Sequence, residues 1–386
     1  LFGAVSDNNF MGRAIRLQLD SRINYWPGAF SIIYNEAIRD EVEDFFVLGR
    51  SFFERLEFQV AAGLSVPRIF GLPRGFAGGV DLVVLRDLDP AFLETSQELG
   101  LSFAYRGFRP RLFGRPRPLT LELRAGLERT DLECNDDLTG DETQRALLCG
   151  GEGAFVPGFV LLERSTVYLT GGPVVSIDLR DDPLDPNGGA YLEVKTVLAK
   201  GLDSPEQSPD FARVEGRANF YVPIAPRITW ASAFLARRVE PLNADGVPVN
   251  QRIFAGGRTT IRGYQENTLL PQDVQVDPET GQAIGEISAG GRLFMGLKNE
   301  IRVRLGGTVS LVAFHDVGDL FESGDFSLST TRQVDDGEVT RRLAQGAGLG
   351  LRLATPVGPL ALDVAHPIDA RDQANNLQLH FAVGAF

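Results

Sequence analysis

Hydrophobic and polar residues alternate one by one along much of the chain. Successive side chains of a β-strand point to opposite faces, so this alternation predicts strands with one apolar and one polar face. The pattern is clearest in six segments: RAIRLQLDSR (13–22), LTLELRAGLE (119–128), YLEVKTVL (191–198), RVEGRANFYV (213–222), NEIRVRL (299–305) and PLALDVA (359–365). Clusters of Gly, Pro, Asn and Asp between such segments indicate turns, as in SDNNFMG (6–12), FGLPRG (70–75), DDPLDPNGG (181–189) and ATPVGP (354–359).

These segments predict an all-β protein with about fifteen or sixteen strands. A short helix is predicted only over residues 36–50, EAIRDEVEDFFVLGR. No apolar run is long enough for a transmembrane helix. Two architectures satisfy the alternation: a soluble β protein with its apolar face inside, or a transmembrane barrel with its apolar face toward lipid and its charged face toward the lumen.

Two features favour the barrel. The polar strand faces carry Glu beside Arg, which suits a lumen where charges pair, although a solvated surface would also accept them. The chain ends in LQLHFAVGAF (377–386), a predicted strand that finishes on Phe386. A terminal aromatic on the last strand is typical of bacterial outer-membrane barrels.

Composition and net charge limit the kinds of molecule that this protein could bind. The net charge of −13 argues against a nucleic-acid partner. All but three of the basic residues are arginine, whose planar fork suits pairing with carboxylates, although the codon usage of a GC-rich genome would give the same bias. The first residues, LFGAVSDNNF, lack the features of a signal peptide, so we expect either a mature start or a fragment.

Two cysteines, Cys134 and Cys149, flank a polar segment, CNDDLTGDETQRALLC. This placement indicates a disulfide in an oxidising compartment, and the alternative is two unpaired thiols.

Enzyme chemistry has little support in the sequence. It contains no nucleophile elbow, no phosphate-binding loop and no metal-ligand spacing, so we expect no catalytic residues, no cofactor and no metal. His315 next to Asp316 could suggest a catalytic dyad. Neighbouring residues on a strand face opposite ways, however, so the two side chains cannot easily share one site.

Several motifs agree in order and spacing over nearly the whole chain. The strongest are GGRTTIRGY (256–264), GGRLFMGLKNEIRV (290–303), FHDVG (314–318) and GAGLGLRLATPVGPLALDVAHPI (346–368), joined by DLRDDPLDPNGG (178–189) and SDNNFMG (6–12). By these motifs the chain resembles the barrel domain of the BamA/TamA-type superfamily of outer-membrane assembly factors. The resemblance implies a 16-stranded antiparallel transmembrane β-barrel over residues 1–386, with a long loop folded into the lumen. It also implies POTRA domains upstream and a truncated first strand.

The resemblance assigns a latch to the long loop. The family's [V/I]RG[F/Y] tetrapeptide corresponds to Ile261, Arg262, Gly263 and Tyr264, and its arginine pairs with acidic residues on two strands, here Glu300 and Asp316. Glu300 shares a polar face with Arg302 and Arg304, which independently predicts that it points into the lumen. Asp316 shares a face with Val312 and Phe314, so its assignment depends on the resemblance.

The resemblance also assigns a lateral gate to the first and last strands, where residues 1–6 would meet residues 376–386. Unpaired strand edges can template an incoming strand. The gate residues are Leu1, Phe2, Gly3, Leu379, Phe381, Gly384 and Phe386. Phe386 falls out of phase with Leu379 and Phe381, and a bulge near Gly384 would restore the phase.

The implied function is insertion of other β-barrel proteins into the outer membrane of a Gram-negative bacterium. Partners would be membrane lipids, unfolded outer-membrane proteins as substrates, and accessory lipoproteins or periplasmic proteins. Three alternatives stay open: a two-partner-secretion polypeptide transporter of the same superfamily, a passive porin and a soluble β protein.

Overall fold

The structure is a computed structural model of the 386-residue chain. It describes residues 2–12, 15–25, 56–69, 71–88, 92–112, 115–117, 119–134, 159–160, 165–183, 185–203, 209–243, 247–273, 290–334, 337–355, 360–368 and 377–383. The predicted helix at 36–50 lies outside these residues. Among them, no helix is long and apolar enough to span a membrane.

The described residues form strands almost throughout, with one short 3₁₀ helix at Val249–Gln251. The strands are β1 (Phe2–Phe10), β2 (Ile15–Tyr25), β3 (Leu56–Val66), β4 (Phe76–Leu88), β5 (Phe92–Tyr105), β6 (Arg111–Leu112), β7 (Arg115–Pro116), β8 (Leu119–Cys134), β9 (Phe159–Val160), β10 (Ser165–Asp178), β11 (Gly189–Gly201), β12 (Phe211–Ala225), β13 (Ile228–Pro241), β14 (Val247–Pro248), β15 (Leu293–Gly306), β16 (Val309–Phe321), β17 (Ser329–Val334), β18 (Gly337–Arg342), β19 (Ala344–Leu353), β20 (Leu360–Pro367) and β21 (Gln378–Val383).

Fifteen of these strands form one sheet, in the order β1-β2-β3-β4-β5-β8-β10-β11-β12-β13-β15-β16-β19-β20-β21. Neighbours in the sheet follow one another along the chain once the strands outside it, β6, β7, β9, β14, β17 and β18, are left aside, which is the pattern of an antiparallel meander. All six segments with the clearest alternation lie on or largely within long strands, namely β2, β8, β11, β12, β15 and β20. The all-β prediction is therefore confirmed.

Backbone contacts divide the chain into two compact units. Unit 1 comprises Leu1–Ile177, Val194–Val214 and Glu240–Gln251, and in it β1 to β5, β8 and β10 pair in succession. Unit 2 comprises Asp178–Glu193, Glu215–Val239 and Arg252–Phe386, and in it β13, β15, β16, β19, β20 and β21 pair in succession.

The strands of unit 2 are apolar on their exposed face and partly charged on their buried face. On β20, Leu362 and Val364 are 41% and 43% exposed, whereas Asp363 between them is fully buried. On β15, Ile301 is 40% exposed and Glu300 is fully buried. A soluble β protein places its polar side chains outside. This inverted pattern is the one expected of strands with one face toward lipid.

The first hairpin turn lies within the predicted segment 6–12 but is shorter than predicted. β1 continues to Phe10, and the turn includes Met11 and Gly12, both with positive φ. An irregularity in pairing between Asp7 and Phe10 accommodates the polar residues in the strand. The Asp7 carboxylate accepts a hydrogen bond from the Asn9 backbone N–H at 2.8 Å, which stabilises this irregularity locally.

Candidate functional site

The candidate site is built around a loop in unit 2 that precedes β15 and is described up to residue 273. Its own hydrogen bonds close it into a compact structure: the Thr260 hydroxyl donates to the Gly256 carbonyl at 2.8 Å, and the Gly257 N–H donates to the Tyr264 carbonyl at 3.0 Å. Gly256 has a φ of 107°, which favours glycine. These contacts present Ile261–Tyr264 as a fixed tip.

Arg262 at this tip is buried to 1% exposure. Its Nε and Nη2 donate to the two carboxylate oxygens of Asp316 at 2.7 and 2.8 Å, and its Nη1 donates to Glu300 at 2.6 Å and to Asp363 at 3.2 Å. The backbone N–H of Arg262 also donates to Asp316, at 3.1 Å. One guanidinium therefore joins the loop to carboxylates of three strands, β16, β15 and β20, with the forked geometry that arginine provides.

Two further arginines surround the same carboxylates. Arg302 contacts Glu300 at 2.8 Å, and Arg352 contacts Glu300 at 3.0 Å and both carboxylate oxygens of Asp363. Three guanidinium groups thus face the three carboxylates of Glu300, Asp316 and Asp363. Buried charges are tolerated when they are paired and hydrogen-bonded, and removing one partner is costly because it leaves the other uncompensated.

The electrostatic environment keeps Arg262 charged. Burial alone would lower the pKa of the Arg262 guanidinium, but the hydrogen bonds to Asp316 and the nearby charges of Asp316, Glu300 and Asp363 raise it above its ordinary value. The Arg262 side chain is therefore positively charged at physiological pH.

Sheet register explains why these side chains meet. Glu300 lies opposite Phe314 in the β15–β16 ladder, Phe314 opposite Gly348 in the β16–β19 ladder, and Gly350 opposite Asp363 in the β19–β20 ladder. Side chains two residues apart share a face, so Val312, Phe314 and Asp316 are all buried on the same side of β16.

The face of the Phe314 ring packs against the Arg262 guanidinium. The Arg262 Cζ atom lies 3.6 Å from the ring centroid, a close cation–π contact. The ring lies beside Gly348, where an added Cβ would be 2.6 Å from Phe314 Cζ. The glycine therefore provides the space that the ring needs.

Replacing Phe314 with leucine is expected to lower the free energy of unfolding by about 0.5–2 kcal/mol, because it removes the aromatic face under a desolvated cation. The measurement is the shift in heat-induced unfolding of the detergent-solubilised protein. Phe220→Leu is the matched control, since Phe220 is 45% exposed on β12. Equal shifts for the two variants would contradict a specific cation–π contribution.

A second contact holds the described end of the loop. The Asp273 carboxylate accepts hydrogen bonds from the backbone N–H groups of Glu322 and Ser323 at 2.6 and 2.9 Å, just after β16. Arg252 forms an ion pair with Glu322 and donates to the Gly290 carbonyl at 3.1 Å. The loop is thus fixed near its base as well as at its tip.

The structure brings together the predicted Arg262, Glu300 and Asp316, and it buries Ile261 and Tyr264 beside them. Their role as a latch stays a prediction. Sequence reasoning missed Asp363 and Arg352. Asp363 did carry a signal, because it is the one charged residue on the polar face of PLALDVA, between Ala361 and Ala365.

Only some of the other predicted site residues lie in the part of the chain that the structure describes. Phe2 and Gly3 lie in β1, while Leu379 and Phe381 lie in β21 and are 59% and 66% exposed. Cys134 ends β8. The remaining predicted residues, Leu1, Gly384, Phe386 and Cys149, lie outside the described residues, so the gate and the disulfide stay predictions.

His315 and Asp316 contact different partners. The His315 Nε2 atom lies 3.0 Å from the Gln345 side-chain oxygen, whereas Asp316 binds Arg262. Within the described part of the chain, no group of three or more His, Cys, Asp and Glu side chains is placed to hold a metal ion.

Comparisons with known proteins give a consistent family. A sequence model of the Omp85 superfamily domain matches residues 95–386. The outer membrane protein assembly factor BamA of Nitratidesulfovibrio vulgaris is 31% identical over 143 residues, which make up 36% of this chain and 16% of that protein. The match therefore covers a small part of the relative's length.

Solved structures are similar in fold over almost the whole chain. BamA from Haemophilus ducreyi lacking POTRA domains 1–3 matches with a TM-score of 0.65 and 12% identity, covering 100% of this chain and 66% of that one. CdiB from Escherichia coli has a TM-score of 0.52 at 16% identity and 99% and 58% coverage, and CdiB from Acinetobacter baumannii has 0.54 at 14% identity and 98% and 55% coverage. The predicted antiparallel β-barrel fold is confirmed by these likenesses.

Proposed function

Because the chain belongs to the Omp85 superfamily and is an outer-membrane protein of a Gram-negative bacterium, we propose that it inserts other β-barrel proteins into that membrane. The observation that carries the proposal is the buried ion-pair network that fixes the loop tip to the strands. The sequence similarity to a BamA protein supports the same function. Its substrates would be unfolded outer-membrane proteins, and lipids, accessory lipoproteins or periplasmic proteins would be further partners.

The fixed loop argues against a passive porin. Ile261, Arg262 and Tyr264 at the tip are at most 1% exposed, and the tip contacts the charged inner faces of several strands. A porin needs a water-filled lumen, whereas this loop occupies the side of the strands that would line it. We expect low and unsteady single-channel conductance, and a large, steady open pore would support the porin instead.

Insertion would proceed through a lateral gate at the first and last strands, β1 and β21. A strand with unpaired backbone groups can pair with an incoming strand, and this pairing would begin assembly of the substrate barrel. No cofactor or energy source is invoked, because strand pairing and burial of apolar side chains in lipid drive the insertion.

A disulfide that joins residues 1–6 to residues 376–386 is expected to abolish assembly activity. The assay reconstitutes the protein in liposomes and measures how much of an unfolded outer-membrane barrel becomes folded and protease-resistant. Activity should return on addition of reductant, and each single-cysteine variant serves as a control. Full activity in the locked protein would rule out the lateral gate.

The likeness to the two CdiB structures supports a second candidate, a two-partner-secretion transporter that passes a polypeptide through the lumen. The two candidates differ in how they should respond to a disulfide that joins residues 1–6 to residues 376–386. A transporter that uses its lumen should still pass a secreted polypeptide when this disulfide is formed, whereas an insertase should lose its activity.

A further inference from the structure

Among the described strands, the last one in the sheet order, β21, has a neighbour on one side, β20. Within the described residues, its ladder with β20 runs from Leu360↔Val383 to Ala365↔Gln378. Segments with few backbone hydrogen bonds open at low free-energy cost. Additional contacts to β21 therefore have a large influence on how often it separates from β20.

The loop tip lies close to β20 and β21. Gly263 has a φ of 101°, and an added Cβ would be 2.9 Å from the His366 carbonyl carbon and the Pro367 nitrogen, both at the end of β20. The buried backbone N–H of Gly263 donates to the Nε2 atom of His380, on β21, at 3.4 Å. Buried backbone N–H groups require an acceptor, and His380 provides one.

This contact defines the state of the His380 ring. An Nε2 atom that accepts a hydrogen bond carries no proton, so the imidazole is neutral with its proton on Nδ1. The acceptor is therefore specific to the ring nitrogen, and an apolar side chain of similar size cannot replace it.

Arg262 and Gly263 contact the same rung of the β20–β21 ladder. Asp363 and His380 lie directly opposite each other in that ladder. Arg262 binds Asp363 at 3.2 Å, and the next residue, Gly263, binds His380. Two consecutive residues of the loop thus hold both sides of one rung.

We propose that His380 is a positioning residue through which the loop tip braces the last strand, so that release of the tip from the ion-pair network loosens β21. The brace itself is a structural property of unit 2. Its importance for assembly rests on the proposed function, because β21 would be one side of the lateral gate.

The test is hydrogen–deuterium exchange of the backbone amides of residues 378–383, followed by mass spectrometry on the full protein in detergent or nanodiscs. His380→Ala and His380→Leu remove the acceptor, and Leu retains the bulk should Ala fail to fold. Loss of one hydrogen bond predicts exchange about two- to tenfold faster in β21, with unchanged exchange in β15. His380→Gln places an amide oxygen near the Nε2 position and should restore the slower rate.

His315→Ala is the matched control, since His315 on β16 contacts Gln345 and should leave β21 unchanged. Unchanged exchange in β21 for both His380→Ala and His380→Leu would overturn the brace. Faster exchange that His380→Gln does not restore would also overturn it, since packing rather than the acceptor would then be responsible. The exchange data test only the contact between the loop tip and β21. The liposome assay of the unmodified protein tests the proposed function separately.

Discussion

Replacing Arg262 with alanine is expected to free the loop tip and lower assembly activity while the strands remain folded. The substitution removes the group that joins Glu300, Asp316 and Asp363, and it leaves three buried carboxylates facing two arginines. Breaking a buried ion pair by removing one partner costs about 3–5 kcal/mol. Because these contacts join the loop to the strands rather than strand to strand, we expect the loss mainly in attachment of the loop.

The measurements are limited proteolysis of the loop, the heat-induced unfolding of the barrel, and the liposome assembly assay. Arg304→Ala is the matched control: Arg304 lies on β15, its side chain is 41% exposed, and it pairs with Asp185 at 3.2 Å. An exposed pair contributes about 0–1 kcal/mol, so this variant should behave like the unmodified protein. Normal assembly by Arg262→Ala, with unchanged protease resistance of the loop, would contradict the latch.

The Arg262→Lys variant tests whether the positive charge alone holds the loop or whether the forked guanidinium is also needed. Lysine keeps a positive charge but has no planar fork, so it cannot bind both oxygens of Asp316 and also reach Glu300 as Arg262 does. We expect activity and protease resistance between those of the unmodified protein and Arg262→Ala. This intermediate result would show that the forked contacts, and not charge alone, hold the loop.

Alternation alone predicted the strands of the segments that show it, because a membrane-spanning strand needs apolar side chains on its lipid-facing side and carries polar ones on the other. Segments such as NEIRVRL and PLALDVA lie within β15 and β20 as predicted. In SDNNFMG the turn is confined to Met11 and Gly12, and the polar residues before them, of a kind that normally indicates a turn, continue in β1. There, local side-chain hydrogen bonding of Asp7 and an irregular ladder replace the usual alternation.

The ion-pair network was only partly predictable, because its membership depends on sheet register. The face of Glu300 follows from its own strand, but the approach of Asp363 and Arg352 depends on how β16, β19 and β20 align. A single sequence contains no direct signal for that alignment. The alternate glycines at 346, 348 and 350 leave one face of β19 without side chains, so other groups can pack closely against it.

The loop tip packs against that face at Gly346, and the Phe314 ring packs against it at Gly348. Gly346 lies opposite Asp316 in the β16–β19 ladder, and an added Cβ would overlap the carbonyl oxygen of Arg262. The obstacle is backbone on both sides, so no change of side-chain rotamer relieves it. The tip would have to withdraw from β19, and the arginine would then lose its ideal geometry with Asp316.

Gly346→Ala is therefore expected to reproduce the effects of Arg262→Ala, although it adds one methyl group and removes no charge. The same proteolysis and assembly assays measure it, with Gly216→Ala as the matched control, because a Cβ at Gly216 on β12 would meet no atom within 4 Å. If both substitutions act by releasing the tip, the double variant should be no worse than either single one, since coupled sites are not additive. Full protease resistance of the loop in Gly346→Ala would show that the tip tolerates displacement, and additive losses in the double variant would show that the two residues act separately.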